Sequence, residues 1–345
     1  MYLWKSTKSR AFTPYYIGYM ENASQLPVLV PTRSHAMVEM PASVSRYVEA
    51  GLHGAENTKR GYAADLRSFQ DYCEHHELLH LPADVTTVAG YVSQMADRGM
   101  KLATIRRHVA AIAKLHQLAG KPSPTTHEAL HVVLDGITRV IGKRQRQAAA
   151  FTVAELKQAV RAMDLTTPTG LRDRALLLLG FAGAFRRSEL VALNVEDIEL
   201  TRQALVIHLK RSKTNQYGES EDKAVFYAPS ADYCPVRAMQ EWLECLGRTS
   251  GALFTRMSRG NKERAAQPGK ARLSDQSVND LVQVHLGTSY TAHSLRASFV
   301  TVAVEAGQSN KAIKNQTKQK TDLMIERYAR LDDVKRFNAA QFLGL

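Results

Sequence analysis

Lys143-Arg144-Gln145-Arg146-Gln147-Ala148-Ala149-Ala150 is the stretch on which the reading of this chain turns. It is basic and polar, lacks an apolar period, and lies between two regions that have one, which is the composition of an interdomain linker. Just beyond it, Thr152 and Glu155 have capping-box spacing, so a helix and a second folded region open there. The chain has 345 residues, room for two separate cores. The expected organisation is a flexible arm over residues 1–40, a helical domain over 41–142, the linker over 143–151, and a second domain over 152–345.

Upstream of the linker the pattern is helical. Asn57 is placed to cap a helix with Tyr62, Leu66, Phe69 and Cys73 on one face. A second helix carries Val88, Tyr91, Val92 and Met95 and stops near Gly99. A third starts near Thr104, buries Ile105, Val109, Ile112 and Leu115, and ends at Gly120; a fourth covers roughly 126–142. Four helices with short connections predict a small bundle. Residues 1–40 mix Pro, Ser, Thr and Tyr without a period. Downstream of the linker, the apolar run Ala175–Phe185 reads as a buried helix. Residues 204–209 and 223–227 read as strands joined by a polar turn holding Lys213 and Gly218. Pro235 begins another helix, residues 258–273 read as a basic loop, and helices follow to the end. The fold class is therefore mainly α with a small β-sheet.

The formal net charge of +13 and the isoelectric point near 9.6 point to a polyanionic partner. No apolar run is long enough for a membrane span, and the first forty residues lack the apolar core of a secretory signal. Cys73, Cys234 and Cys245 form no C-x-x-C, which suggests buried thiols in a reducing compartment and argues against a zinc site. Nothing resembles a phosphate-binding P-loop, and no carboxylate cluster suggests a catalytic metal, so no cofactor is expected.

Breaking a nucleic-acid strand without a metal needs fixed guanidinium groups on the phosphate oxygens, an in-line nucleophile and a proton donor for the departing oxygen. Four pieces of the sequence supply such groups. They are Gly183-Ala184-Phe185-Arg186-Arg187-Ser188-Glu189-Leu190, Arg211-Ser212-Lys213-Thr214, Ala292-His293-Ser294-Leu295-Arg296 and Met324-Ile325-Glu326-Arg327-Tyr328. His293 and Arg296 are three apart and share a helix face. Each piece alone is a weak signal; their joint order is a strong one.

That order, Arg-x-x-Glu, hairpin Lys, His-x-x-Arg, then Tyr, resembles the tyrosine recombinase (phage integrase) family over about residues 42–340. The stretch from Arg98 to His108 and the Lys114-Leu115-His116 that follows strengthen the likeness. The resemblance implies a helical core-binding domain and a catalytic domain closing as a C-shaped clamp on duplex DNA. It implies that Arg186 and Arg296 hold the phosphate, Tyr328 attacks phosphorus to leave a 3′-phosphotyrosine, and Lys213 protonates the 5′-hydroxyl. His293 would do acid/base work or bond the phosphate, and Glu189 would orient the cations. Arg187 is set aside because neighbours on a helix point about 100° apart, and the family's Arg-x-Ser-Glu-Leu pattern selects Arg186. One position departs: the family usually has His or Trp nine residues before the tyrosine, and here it is Gln319. Glutamine donates a hydrogen bond but does not titrate near neutral pH.

Arg106, Arg107 and Lys114 in the first domain, Lys143, Arg144 and Arg146 in the linker, and Lys210 and Arg211 beside the hairpin turn are the candidate DNA contacts. Val334, Phe337 and Phe342 after Tyr328 suggest a terminal helix. By resemblance it docks on a neighbouring subunit in a homo-tetramer holding two DNA sites, each with inverted half-sites. A site-specific recombinase acting on cytoplasmic, nucleoid DNA, such as serves a mobile element, is the expected function. An inactive regulator of the same fold, flagged by Gln319, and a strand relaxer like the type IB topoisomerases are the rivals.

Overall fold

The computed structural model describes residues 56–142, 148–209, 221–258, 260, 266–319 and 321–326. Lys143, Arg144, Arg146, Lys210, Arg211, Lys213 and Tyr328 lie outside the described residues, as do residues 1–40, expected as an arm, and the residues after Tyr328, expected as a terminal helix. The chain divides into two units, residues 1–145 and 146–345.

In the first unit α1 (Glu56–His75), α2 (Val85–Asp97), α3 (Leu102–Leu118) and α4 (Glu128–Ile141) are joined by short connections. The first helix already includes Asn57, so that residue is not its cap. Asp84 caps α2, its side chain accepting from the Thr87 amide at 2.6 Å. The apolar stripes converge as their 3.6-residue period requires: Leu66, Phe69 and Cys73 pack with Val88, Tyr91, Met95, Ile105, Ile112 and Leu130. Two histidines of α3 also point inward, His108 and His116. His116 accepts from the Ala83 amide through Nε2 at 2.9 Å and bonds the Ile112 carbonyl through Nδ1 at 2.9 Å, tying the loop before α2 to α3.

The second unit opens with the capping box. The Glu155 amide donates to Thr152 Oγ1 at 3.2 Å and the Thr152 amide to Glu155 Oε2 at 2.7 Å, starting α5 (Val153–Arg161). Then come α6 (Pro168–Ala182), α7 (Arg187–Ala192) and the antiparallel sheet of β1 (Ile198–Leu200), β2 (Ala204–Leu209) and β3 (Glu221–Phe226). After α8 (Pro235–Leu246), a second hairpin pairs β4 (Thr255–Met257) with β5 (Pro268–Arg272). Thus part of the basic stretch read as loop is a strand. Its Arg272 donates to the carbonyls of Val191 at 2.5 Å and Leu193 at 2.8 Å, satisfying the end of α7. The chain continues as α9 (Asp275–Leu286), α10 (Ala292–Glu305) and α11 (Asn310–Thr317). Leu176, Leu177, Leu179, Phe185, Leu205, Ile207, Val225, Trp242, Phe254, Val282 and Leu295 form one core between the helices and the sheet. Among the described residues no helix is long and apolar enough to cross a membrane.

Candidate active site

The site is built on the turn Gly183-Ala184-Phe185-Arg186. The Phe185 ring folds back so tightly that a Cβ on residue 183 would lie 2.1 Å from it, so only glycine fits there. Ala184 is buried with φ +48, a left-handed conformation that costs a residue with a Cβ about 1–2 kcal/mol. That reversal takes the chain from the buried end of α6 to the start of α7, with Arg186 as the N-cap residue and Arg187 as the first helical one. Arg187 turns outward and meets Asp275 at 3.4 Å on the surface, so the two adjacent arginines do face different ways.

Glu189 is buried and closes on Arg186 from both sides: it accepts the Arg186 amide at 3.0 Å through one oxygen and the guanidinium through the other. Burial alone would raise this carboxyl. Lys223, the Arg186 amide and the Arg186 charge together outweigh it and hold the group below its ordinary value.

Arg296 comes from α10 and is buried. Gly180 lets that helix close in, since a Cβ on it would lie 2.8 Å from Leu295 Cδ1. One Arg296 nitrogen donates to the Ala184 carbonyl at 2.8 Å and another to the Thr317 carbonyl at 2.5 Å. The same guanidinium thus braces the strained turn and the end of α11. His293, one turn earlier, is exposed to solvent at its edge. Its imidazole is held below its ordinary value by burial among protein atoms and then by the charges of Arg296 and Arg186, so it is neutral at pH 7. Gln319 follows the left-handed Lys318 that ends α11 and is nearly buried, its Oε1 accepting from Thr317 Oγ1 at 3.2 Å. Lys311, Lys314 and Lys318 line a surface groove with it.

Lys223 on β3 was missed in the sequence. Its ammonium is fully buried, donates to the Gly183 carbonyl at 2.8 Å and the Ala184 carbonyl at 3.4 Å, lies 3.8 Å from Glu189 Oε2, and sits 4.4 Å from the centre of the Phe185 ring. Burial pulls it down to about 7, with Arg296, Arg186 and Lys318 adding and Glu189 opposing. The period of two that turns Val225 into the core turns Lys223 inward with it, and that was the signal available.

Of the four pieces singled out in the sequence, the structure brings two together, the Arg186–Glu189 turn and the His293–Arg296 helix, and adds Gln319. One carboxylate faces several cations in a nearly dry setting, an arrangement suited to a bound anion. Among the described residues no cluster of His, Cys, Asp or Glu side chains is arranged to hold a metal ion. In the first unit Arg106 is exposed and Lys114 bonds Gln117 at 3.2 Å, while Arg107 is paired in bidentate fashion with buried Asp65 at 2.7 and 2.8 Å.

Residues 150–335 match the model of the phage integrase family, and residues 47–121 that of the phage integrase N-terminal SAM-like domain. The chain belongs to the phage integrase family. This integrase-family chain is 35% identical over 294 residues to an integrase/recombinase xerD homolog of Selenomonas ruminantium, covering 83% of this chain and 84% of that one. Over 165 residues it is 27% identical to recombinase cre of Escherichia phage P1, with 46% and 48% covered. The fold is that of the XerH site-specific recombinase bound to palindromic difH substrate, at a TM-score of 0.59 and 16% identity, covering 87% of this chain and 83% of the other. The protein is a tyrosine-type recombinase.

Proposed function

We propose that this recombinase cleaves and rejoins duplex DNA at specific sites with Tyr328 as its nucleophile. The observation that carries the reading is the meeting of Arg186, Glu189, His293, Arg296 and Gln319 around one braced turn. The tyrosine oxygen attacks phosphorus, the bond to the 5′-oxygen breaks, and a 3′-phosphotyrosine forms while Lys213 gives the leaving oxygen a proton. Arg186 and Arg296 stabilise the charge that grows on the two non-bridging oxygens. His293, neutral at pH 7, accepts the tyrosine proton or bonds the phosphate, and Gln319 donates a neutral hydrogen bond to it. A 5′-hydroxyl from another strand reverses the step on a new partner. The product bond is again a phosphodiester, so no ATP is consumed.

Residues 41–142 serve as the core-binding domain and 152–345 as the catalytic domain, joined by 143–151. Arg106, Arg107, Lys114, Lys143, Arg144, Arg146, Lys210 and Arg211 contact DNA backbone, so affinity falls steeply with salt. One structural relative of this fold, lambda integrase, is known as a tetramer bound to a Holliday junction. That supports a tetramer on two DNA sites. In this reading the sites carry inverted half-sites, the segment after Tyr328 is exchanged between subunits, and the protein acts on nucleoid DNA in the cytoplasm.

The test is covalent trapping. Nicked duplexes from the DNA flanking the gene, and duplexes selected by the protein from a random pool, are incubated with the protein and run on a denaturing gel. A slow band absent from Tyr328→Phe is expected. No band on DNA that the protein binds would make it a regulator instead. Relaxation of supercoils without strand exchange would make it a relaxing enzyme.

A further inference from the structure

We propose that Lys223 is a positioning residue for strand cleavage: from β3 it clamps the Gly183 and Ala184 carbonyls and so fixes the turn that presents Arg186 to the scissile phosphate. The inference rests on the assignment of Arg186 to phosphate binding.

The argument begins with the cost of the arrangement. A lysine ammonium is rarely buried without a full set of partners, and placing one in the core is expensive. Lys223 occupies an inward position of β3, opposite Ile207 of β2, where an apolar side chain would pack without penalty. Among the described residues its partners are on the turn and the helix that follows. They are two successive carbonyls, the Glu189 carboxylate and the Phe185 ring. The Ala184 carbonyl accepts from both Lys223 and Arg296, so two cations from different elements converge on the one strained residue. Glu189 is shared in the same way between Lys223 and Arg186. Moving the ammonium therefore releases the turn and rebalances the carboxylate that orients Arg186. β3 is also the strand that begins directly after residues 210–220, which include Lys213. One side chain thus ties the strand that follows that segment in sequence to the turn that carries Arg186.

The charged groups facing Lys223 among the described residues are Glu189 and Arg186 on the turn and α7, Arg296 on α10 and Lys318 at the end of α11. With the lysine titrating near neutrality, its grip on the two carbonyls is strongest where it is protonated.

The experiment compares wild type, Tyr328→Phe, Lys223→Met and Lys223→Arg on one nicked duplex selected from a random pool. It reads duplex affinity, melting temperature and single-turnover formation of the covalent complex from pH 6 to 9. Lys223→Met keeps the length of the side chain and removes the charge. It is expected to bind within about threefold of wild type and to cleave at least tenfold more slowly at pH 6, the deficit narrowing toward pH 9. Lys223→Arg is expected to recover most of the rate at every pH. If Lys223→Met is unfolded, Lys223→Arg decides: folded and active supports the proposal, folded and inactive overturns it. Cleavage by folded Lys223→Met at the wild-type rate overturns the role of Lys223 and leaves the proposed function standing. A deficit equal at all pH values and matched by a lowered melting temperature overturns it too, as a purely structural contribution. Absence of a Tyr328-dependent complex from wild type overturns both readings.

Discussion

Asp65 in the first unit and Glu189 in the second are both buried among cationic or imidazole side chains, and the two clusters are balanced differently. In the first unit Asp65 takes two hydrogen bonds from Arg107 and one contact from His108 at 3.0 Å, and His108 bonds Tyr91 at 2.8 Å through its other nitrogen. Burial first, opposed by Asp65, holds the His108 imidazole below its ordinary value, so one negative charge meets one positive charge. In the second unit Glu189 faces Arg186 and Lys223, and Arg296 adds its charge beside Lys223. The first cluster is closed and specifies how α1, α2 and α3 meet. The second carries surplus positive charge in a low-dielectric setting, which is costly unless an anion arrives. The comparison separates a polar network whose charges balance within the fold from one that is left with positive charge to spare.

Breaking the surplus should have the largest effect. Arg186→Ala is expected to keep duplex affinity within a few-fold and to lower covalent-complex formation by roughly 10²-fold or more. Arg296→Ala should lose as much and also lower the melting temperature, because it removes the tethers to the Ala184 and Thr317 carbonyls. Near-normal cleavage by either would reject the clamp assignment.

Breaking the closed network should act on stability and, through Arg107, on duplex affinity, but not on the chemical step. Asp65→Asn is expected to cost about 2 kcal/mol in urea unfolding, since it leaves Arg107 without its carboxylate and disturbs His108. The rate of cleavage in DNA-bound complexes should stay unchanged, and a selective loss of that rate would join the two clusters functionally.

The surplus should also show in the pH dependence of stability. Lys223 titrates at about 7 when folded, against 10.5 for an ordinary lysine. Between those values the unfolded chain holds a proton that the folded chain does not, so stability rises with pH across that window. Below pH 7 both states are protonated and the penalty of the buried charge is fully present. Relative to Lys223→Met, wild-type stability should therefore climb from pH 7 to pH 9 with a slope of up to about 1.4 kcal/mol per pH unit, the limit for one proton. Denaturant midpoints for the two proteins measure it, and parallel curves would show that Lys223 is not desolvated. The smallest effect is expected from Gln319→His, which adds a titratable donor beside the same cations and should retain or raise cleavage. Total loss on the gel assay would show that the pocket is shaped around the amide.

How much was legible can be followed residue by residue. The bundle helices, the capping box at Thr152 and Glu155, the helix at Pro235 and the strands around Val206 and Val225 were readable because apolar period and capping chemistry are local. The β4–β5 hairpin was not. Pro268-Gly269-Lys270-Ala271-Arg272 has no apolar alternation, and its register is set by pairing with residues 255–257 rather than by its own side chains. The partner of Arg107 was not legible either, because only the crossing of α1 and α3 brings Asp65 to it.

By itself the sequence determined the two-part organisation, the helical class, the charge that calls for a polyanion, and the set of reactive residue types in their order. The tertiary structure decided which of those groups share one charge balance. It turned Arg187 away from Arg186, laid Arg296 across two carbonyls from distant elements, and placed Lys223 under the active turn. The reason is physical: periodicity and capping act over a few residues, whereas the partners of a buried charge come from whichever elements pack around it.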